Sequence, residues 1–131
     1  MTGYSVELVP VDALRHIEGF SKKRVEWLAK KITTEGVWTK PLALDDAHAL
    51  VLDGQHRMEV AKKLGLKQVP AVHYKYADVK VWSLRPRHQF DWQTVTERAL
   101  AGNPYPYKTV KHEFPEGGLP LISIPLKDLL P

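Results

Sequence analysis

A short apolar run that ends in Asp53-Gly54 is the feature of this sequence that most constrains its fold. Residues 49–52 have the composition of a buried strand, whereas beyond the glycine apolar residues recur at helical spacing from Met58 to Leu64. Residues 52–57 therefore predict a strand that turns directly into a helix.

Hydrophobic spacing predicts the remaining elements. Further strands are expected at residues 4–11, 42–44, 69–74 and 79–82, with a tight turn at 45–48. A first helix begins after Ser21 and ends at Gly36, and a third helix spans about residues 91–100. These elements predict an α+β (mixed α/β) fold, in which a small mixed sheet packs with about three helices.

Composition narrows the function classes. A chain of 131 residues with 44% hydrophobic content suits one domain over residues 1–131, and a net charge of +4 with a pI near 9.3 permits an anionic partner. The absence of cysteine excludes disulfides, thiolate metal sites and cysteine-based catalysis. Because no apolar run approaches the roughly 18 residues of a membrane span, we expect a cytoplasmic protein without a membrane segment.

The strand-to-helix turn carries residues suited to phosphate. At a helix start the first N–H groups lack intrahelical partners, and Gly54 would let a phosphate approach them closely. Gln55 and His56 add hydrogen-bond donors. The planar guanidinium group of Arg57 can donate two parallel hydrogen bonds to phosphate oxygens. These groups together form a phosphate cradle. The acidic residue Asp53 beside it suggests Mg²⁺ binding or a catalytic role. Alternatively, Asp53 only caps the helix and Arg57 pairs with a surface carboxylate.

An ordered set of motifs surrounds this turn. Residues 36–41 read Gly-Val-Trp-Thr-Lys-Pro, residues 53–57 read Asp-Gly-Gln-His-Arg, and Leu64-Gly65 and Val69-Pro70 follow. Over roughly residues 6–114 this order resembles the ParB/sulfiredoxin-like superfamily. The resemblance implies a ParB/sulfiredoxin-like nucleotide-binding domain, without fixing one activity.

Two branches of that superfamily fit the chain poorly. Sulfiredoxins use a cysteine within this motif, and this chain has none. ParB partition proteins carry a Gly-Glu-Arg-Arg box followed by a helix-turn-helix region, for which too few residues remain here. A non-enzymatic ParB-like regulator that binds nucleotide and contacts DNA stays open as the alternative.

The sequence looks most similar to the free L-serine kinases, whose motif typically reads Asp-Gly-His-His-Arg. Residues 105–112, Tyr-Pro-Tyr-Lys-Thr-Val-Lys-His, resemble that family's Pro-x-Lys-Thr-Thr-Arg-His segment. The resemblance implies transfer of a phosphoryl group from ATP or ADP to the hydroxyl of free L-serine, or of a close hydroxy amino acid. This chain departs from the pattern at Gln55, Val110 and Lys111.

The resemblance also implies roles for individual residues. Glu18 would be the base on the serine hydroxyl, Asp53 would hold Mg²⁺ or orient the acceptor, and residues 54–57 would bind the nucleotide phosphates. Contacts to the substrate would come from Trp82, Lys108, Thr109, Lys111 and His112. Ordinary alternatives exist: Glu18 as a solvated carboxylate, Trp82 as core packing, and residues 108–112 as a charged edge strand.

Overall fold

The computed structural model describes residues 5–115 and 118–131, so residue 4 of the first predicted strand lies outside it. In chain order the strands are β1 (Val6–Pro10), β2 (Arg15–His16), β3 (Val37–Trp38), β4 (Leu42–Asp45), β5 (Leu50–Asp53), β6 (Gln68–Tyr74), β7 (Lys80–Ser83), β8 (Val110–Glu113) and β9 (Ile124–Pro125). The helices are α1 (Lys22–Glu35), α2 (Gln55–Lys63) and α3 (Trp92–Leu100). The predicted α+β class with three α-helices is confirmed within these residues.

Five strands form a central mixed sheet in the order β1-β6-β4-β5-β2. β1 pairs with β6, and β4 with β5, in antiparallel fashion, whereas β4 pairs with β6, and β2 with β5, in parallel. Side chains alternate between the two faces along β4 and β5. Leu42, Leu44 and Val51 pack into one core, and Ala43 and Leu50 into the other.

Helices cover both faces of this sheet. α1 and α2 contribute to the first core, and α3 packs into the second beside the β7–β8 ribbon. The predicted limits of α1 are confirmed, since the Ser21 side chain accepts a hydrogen bond from the Arg24 N–H at 3.2 Å and Gly36 adopts φ 71°. Asp91 caps α3 through the Thr94 N–H at 2.9 Å.

Two segments differ from the sequence-based prediction. Residues 15–20, which lie outside the predicted elements, begin with the two-residue strand β2, which forms by pairing with β5. Residues 108–112 begin as a turn at Lys108, with φ 58°, and continue as β8 paired with β7, so the alternative of a charged strand is confirmed only from Val110 onward. Neither element has an apolar pattern of its own in the sequence. Each forms by pairing with another strand, which local spacing does not reveal. None of the helices in the described ranges is long and apolar enough to cross a membrane.

Candidate functional site

A cavity of about 520 Å³ opens where β5 ends and α2 begins. The walls come from the strand-to-helix turn, from one face of α1 and from residues 107–112. Within the described part of the chain, two carboxylates line it, those of Glu18 and Asp53. The cationic side chains that line it are Arg24, Lys31, Lys40, Arg57, Lys108 and Lys111. This excess of positive charge suits a ligand with several phosphates.

The turn itself is shaped by Gly54, which has φ 117° and precedes the first residue of α2. A Cβ at this position would lie 2.4 Å from Cδ2 of Leu42, which is fully buried. A side chain is therefore excluded both by backbone conformation and by space. The Met58 N–H donates to the Gly54 carbonyl at 2.8 Å, so helical bonding begins here and the preceding amides at the helix start face the ligand side.

Arg57 lies on the cavity with its guanidinium partly buried. Burial lowers the pKa of Arg57 below its usual range, and the nearby Asp53 carboxylate opposes that effect. Among the described residues its Nε–H has no hydrogen-bond partner although the atom is inaccessible to solvent. A buried donor of this kind is normally satisfied, and a phosphate oxygen in the cavity would satisfy it.

His56 connects α2 to the start of α1. Its Nε2 accepts a hydrogen bond from the Ser21 N–H at 3.0 Å, so the ring carries its proton on Nδ1. Burial lowers the pKa of His56, and the positive charges of Arg24 and His16 act in the same direction. The neutral ring packs edge-on against Tyr107, with centroids 5.4 Å apart, and keeps one N–H for a ligand.

Glu18 is held at the cavity by hydrogen bonds to residues 105–110. The Gly19 N–H donates to the Tyr105 carbonyl at 2.8 Å, and the Glu18 Oε2 accepts from the N–H groups of Thr109 and Val110, each at 3.3 Å. Burial raises the pKa of Glu18 above its usual range despite these hydrogen bonds. A carboxylate with a raised pKa is suited to accept a proton near neutral pH.

His112 is held inside the cavity wall. Its Nε2 lies 2.8 Å from the hydroxyl of Tyr76, and its ring stacks on Phe114 with centroids 5.7 Å apart. Burial lowers the pKa of His112 to about 4, while a hydrogen bond to the Leu52 backbone opposes that shift. The ring is therefore neutral at pH 7 and joins β8 to the end of β5.

Asp53 stands at the mouth of the turn, where its Oδ2 is 3.6 Å from Nζ of Lys40. The described residues contain no group of three or more acidic or histidine side chains that could hold a metal ion by themselves. Mg²⁺ usually takes one or two carboxylates, with water and substrate phosphates completing its shell. Asp53 beside a phosphate cradle fits that mode of binding.

Comparisons with known proteins agree with this geometry. No family model matches the chain. It is 32% identical over 97 residues to the ADP-dependent L-serine kinase SerK of Thermococcus kodakarensis, covering 69% of this chain and 40% of that protein. It is 37% identical over 78 residues to an ATP-dependent L-serine kinase of Staphylothermus marinus, covering 56% and 31%. The chain thus spans two fifths or less of the length of these curated relatives.

A solved free serine kinase in complex with AMP superimposes with a TM-score of 0.84 at 16% identity, covering 95% of this chain and 93% of that one. The chain has the fold of the free serine kinases. The resemblance inferred from the motifs is therefore confirmed at the level of fold and sequence similarity.

Within this serine-kinase fold, most of the predicted site residues meet at the cavity. Glu18, the 53–57 turn, Lys108, Lys111 and His112 all line it, although they come from distant parts of the chain. Asp53 caps no helix, because Gly54 occupies the cap position of α2. The alternative reading of Asp53 as a helix cap was wrong.

Three predicted contacts have a different geometry. The Gln55 side chain is buried, and its amide is engaged by the Val51 carbonyl and by His16, so only its backbone N–H can meet a phosphate. Thr109 is fully buried, and its hydroxyl donates to the Pro106 carbonyl at 2.6 Å. Trp82 pairs across the ribbon with Lys111, is 43% exposed and does not line the cavity; nor is it core packing.

Sequence reasoning missed several cavity residues. Arg24, Trp27, Lys31 and Lys40 also line it. Spacing offered a weak signal, because Arg24, Trp27 and Lys31 recur at intervals of three and four residues on one face of α1. The sequence could not tell that this face borders the turn.

Proposed function

We propose that this protein is a kinase of free L-serine, or of a close hydroxy amino acid, that uses ADP or ATP. The observation that carries the proposal is the placement of Glu18. Its carboxylate is fixed by two backbone N–H groups of the 107–112 segment and faces the same cavity as the phosphate-binding turn. A base opposite a phosphate cradle is the arrangement that phosphoryl transfer to a hydroxyl needs.

The first function of these residues would be to bind the donor. The helix-start amides, the Nδ1–H of His56 and the fork of Arg57 supply donors for the nucleotide phosphates. The flexible cations Lys40 and Lys108 would neutralise further phosphate charge. Such donors stabilise charge on the phosphoryl oxygens as the group moves.

The second function would be to activate the acceptor. Glu18 takes the proton of the substrate hydroxyl while the new oxygen–phosphorus bond forms and the bond to the nucleotide breaks. The products are O-phosphoserine and a nucleotide shortened by one phosphate. Lys108 and Lys111, which line the cavity, would hold the carboxylate of the amino acid.

Asp53 would hold Mg²⁺ on the donor phosphates. The ion would supply charge neutralisation on the transferred group. We expect the activity in the cytoplasm, where free amino acids and nucleotides meet.

The DNA-associated regulator remains the second reading of the motifs. A nucleotide switch needs the phosphate-binding turn but has no use for a partly buried carboxylate facing it. Keeping a carboxylate among cationic groups at a phosphate site costs binding energy, because it repels the phosphates. Glu18 therefore favours a kinase.

The direct test is incubation of the purified protein with L-serine, Mg²⁺ and either ADP or ATP, followed by detection of O-phosphoserine by ³¹P NMR and mass spectrometry. L-alanine, which lacks the hydroxyl, is the matched control and should give no phosphorylated product. We expect product from L-serine with at least one nucleotide. Absence of product with both nucleotides would contradict the proposal.

A further inference from the structure

His16 is the last residue of β2, and its side chain contacts the N-terminal part of α2. Its Nδ1 lies 2.5 Å from the Oε1 of Gln55, and its Nε2 lies 2.7 Å from the Oε2 of Glu59. The ring also stacks on Phe20, with centroids 5.0 Å apart. None of these contacts is used in the proposed phosphoryl transfer.

The amide of Gln55 determines whether Nδ1 of His16 carries a proton. Its Nε2 donates to the Val51 carbonyl, which can only accept, so the amide orientation is fixed and Oε1 faces the imidazole. An amide oxygen is also only an acceptor. The Nδ1 of His16 must therefore carry a proton.

Glu59 is the partner of the other ring nitrogen, Nε2. Burial tends to raise the pKa of Glu59, but hydrogen bonds from His16 and Lys62 outweigh burial and lower it overall. The carboxylate is ionised and accepts a proton from His16 on one side and from Nζ of Lys62, at 3.2 Å, on the other. Both nitrogens of His16 thus lie within hydrogen-bond distance of an acceptor on α2.

We propose that His16 is a positioning residue for the phosphate-binding turn. Through its two ring nitrogens it ties β2, two residues before Glu18, to Gln55 and Glu59 on α2. These contacts fix the first turn of α2 relative to the base. The identity of the ligand, a nucleotide, rests on the function proposed above.

Two variants separate this role from general stability. In His16→Gln the new amide can donate to Gln55, but its oxygen then faces the ionised Glu59 and the contact is repulsive. In the double variant His16→Gln/Glu59→Gln, the amide at position 59 can donate to that oxygen, so the chain of hydrogen bonds is rebuilt without charge. Lys62→Ala is the matched control, because Lys62 touches Glu59 from the exposed side.

Binding of ADP and of inorganic pyrophosphate, measured by calorimetry, is the first readout. We expect His16→Gln to weaken both affinities by about tenfold, the usual scale for an unsatisfied buried polar contact. The double variant should recover to within about threefold of wild type, and Lys62→Ala should bind normally. Unchanged affinity in folded His16→Gln, or no recovery in the double variant, would overturn the proposal.

Amide hydrogen exchange by NMR is the second readout and needs no ligand. The Met58 N–H closes the first turn of α2, and the Leu64 N–H, which donates to the Val60 carbonyl at 2.9 Å, closes its far end. In His16→Gln, Met58 should exchange about tenfold faster and Leu64 at an unchanged rate. Equal acceleration of both would mean a purely global effect and would refute the positioning role.

These outcomes keep the two proposals distinct. A wild-type protein that binds nucleotide but makes no O-phosphoserine would refute the kinase and leave the positioning role standing. A wild-type protein that binds neither ADP nor pyrophosphate would refute the nucleotide site, and the exchange rates alone would then decide whether His16 orders the turn. If His16→Gln does not fold, Gln55→Met, which removes the acceptor of Nδ1, takes its place, with the same expected changes in ADP affinity and in the exchange rates of Met58 and Leu64.

Discussion

The Oε2 of Glu18 lies 3.3 Å from the backbone nitrogen of Thr109, although 91 residues separate the two in sequence. This contact holds Glu18 at the cavity that the 53–57 turn also lines. It also holds a carboxylate in a partly buried position, where the charged form is disfavoured. The site thus retains a group that costs stability, which is typical of residues kept for chemistry.

Glu18→Gln should abolish turnover, by at least about a hundredfold, because a neutral amide cannot take the hydroxyl proton. Nucleotide affinity should be kept or rise slightly, since the amide oxygen can still accept from Thr109 and the amide does not repel the phosphates. The measurement is O-phosphoserine formation alongside calorimetric binding of ADP. Urea unfolding is the control, and the variant should be at least as stable as wild type at pH 7. Persistent turnover would show that Glu18 is not the base.

The same residue predicts the pH dependence of the wild-type rate. A base must be deprotonated to act, so the rate falls as the pH falls through the pKa of Glu18. Because burial raises that pKa, the acidic limb should lie above the value of 4.5 for an ordinary glutamate. Initial rates from pH 4 to pH 8 would measure it. An acidic limb at or below that ordinary value would contradict the assignment.

Arg57→Lys should weaken ADP binding by about tenfold, because lysine keeps the charge but loses the planar fork and the Nε–H donor. The matched control is Arg87→Lys, since Arg87 is exposed and does not line the cavity. Calorimetric titration of both variants makes the comparison. Equal affinities in the two variants would mean that the buried Nε–H of Arg57 does not meet the ligand.

Gly54→Ala tests the shape of the turn. The substitution combines a left-handed backbone with a contact of 2.4 Å to the buried side chain of Leu42. Gly102→Ala carries only the conformational cost, because Gly102 has φ 75° and nothing lies near its missing Cβ. Urea unfolding should show a loss of about 1–2 kcal/mol for Gly102→Ala and a larger loss for Gly54→Ala. Similar losses would mean that Leu42 moves aside without cost.

His112 predicts a loss of stability in mild acid. Its pKa falls from 6.5 in the unfolded chain to about 4 in the fold, so below pH 6.5 the unfolded state takes up a proton that the folded state refuses. Stability should therefore decline between pH 6.5 and pH 4, by up to about 3 kcal/mol from this residue. His112→Asn should have a flatter profile in urea unfolding over this range. Identical profiles would contradict the neutral, buried state of His112.

Much of the fold could be predicted from the sequence because its signals are local. The spacing of Val25, Leu28 and Ile32 and the cap at Ser21 define α1, and the Asp53-Gly54 turn separates a strand from a helix. Such elements can be predicted because propensity, capping and amphipathicity act over a few neighbouring residues. The motif order then indicated the serine-kinase fold, which the comparisons confirm.

Only the tertiary structure decided which groups face the ligand. Gln55 sits in the phosphate motif, yet its side chain turns inward because His16 and Val51 satisfy its amide. Arg24 and Lys40 carry no motif, yet they line the cavity because α1 and the start of β4 border the turn. The sequence alone thus determined the strand-to-helix turn around Gly54. The meeting of that turn with Glu18 required long-range strand pairing, which no local pattern encodes.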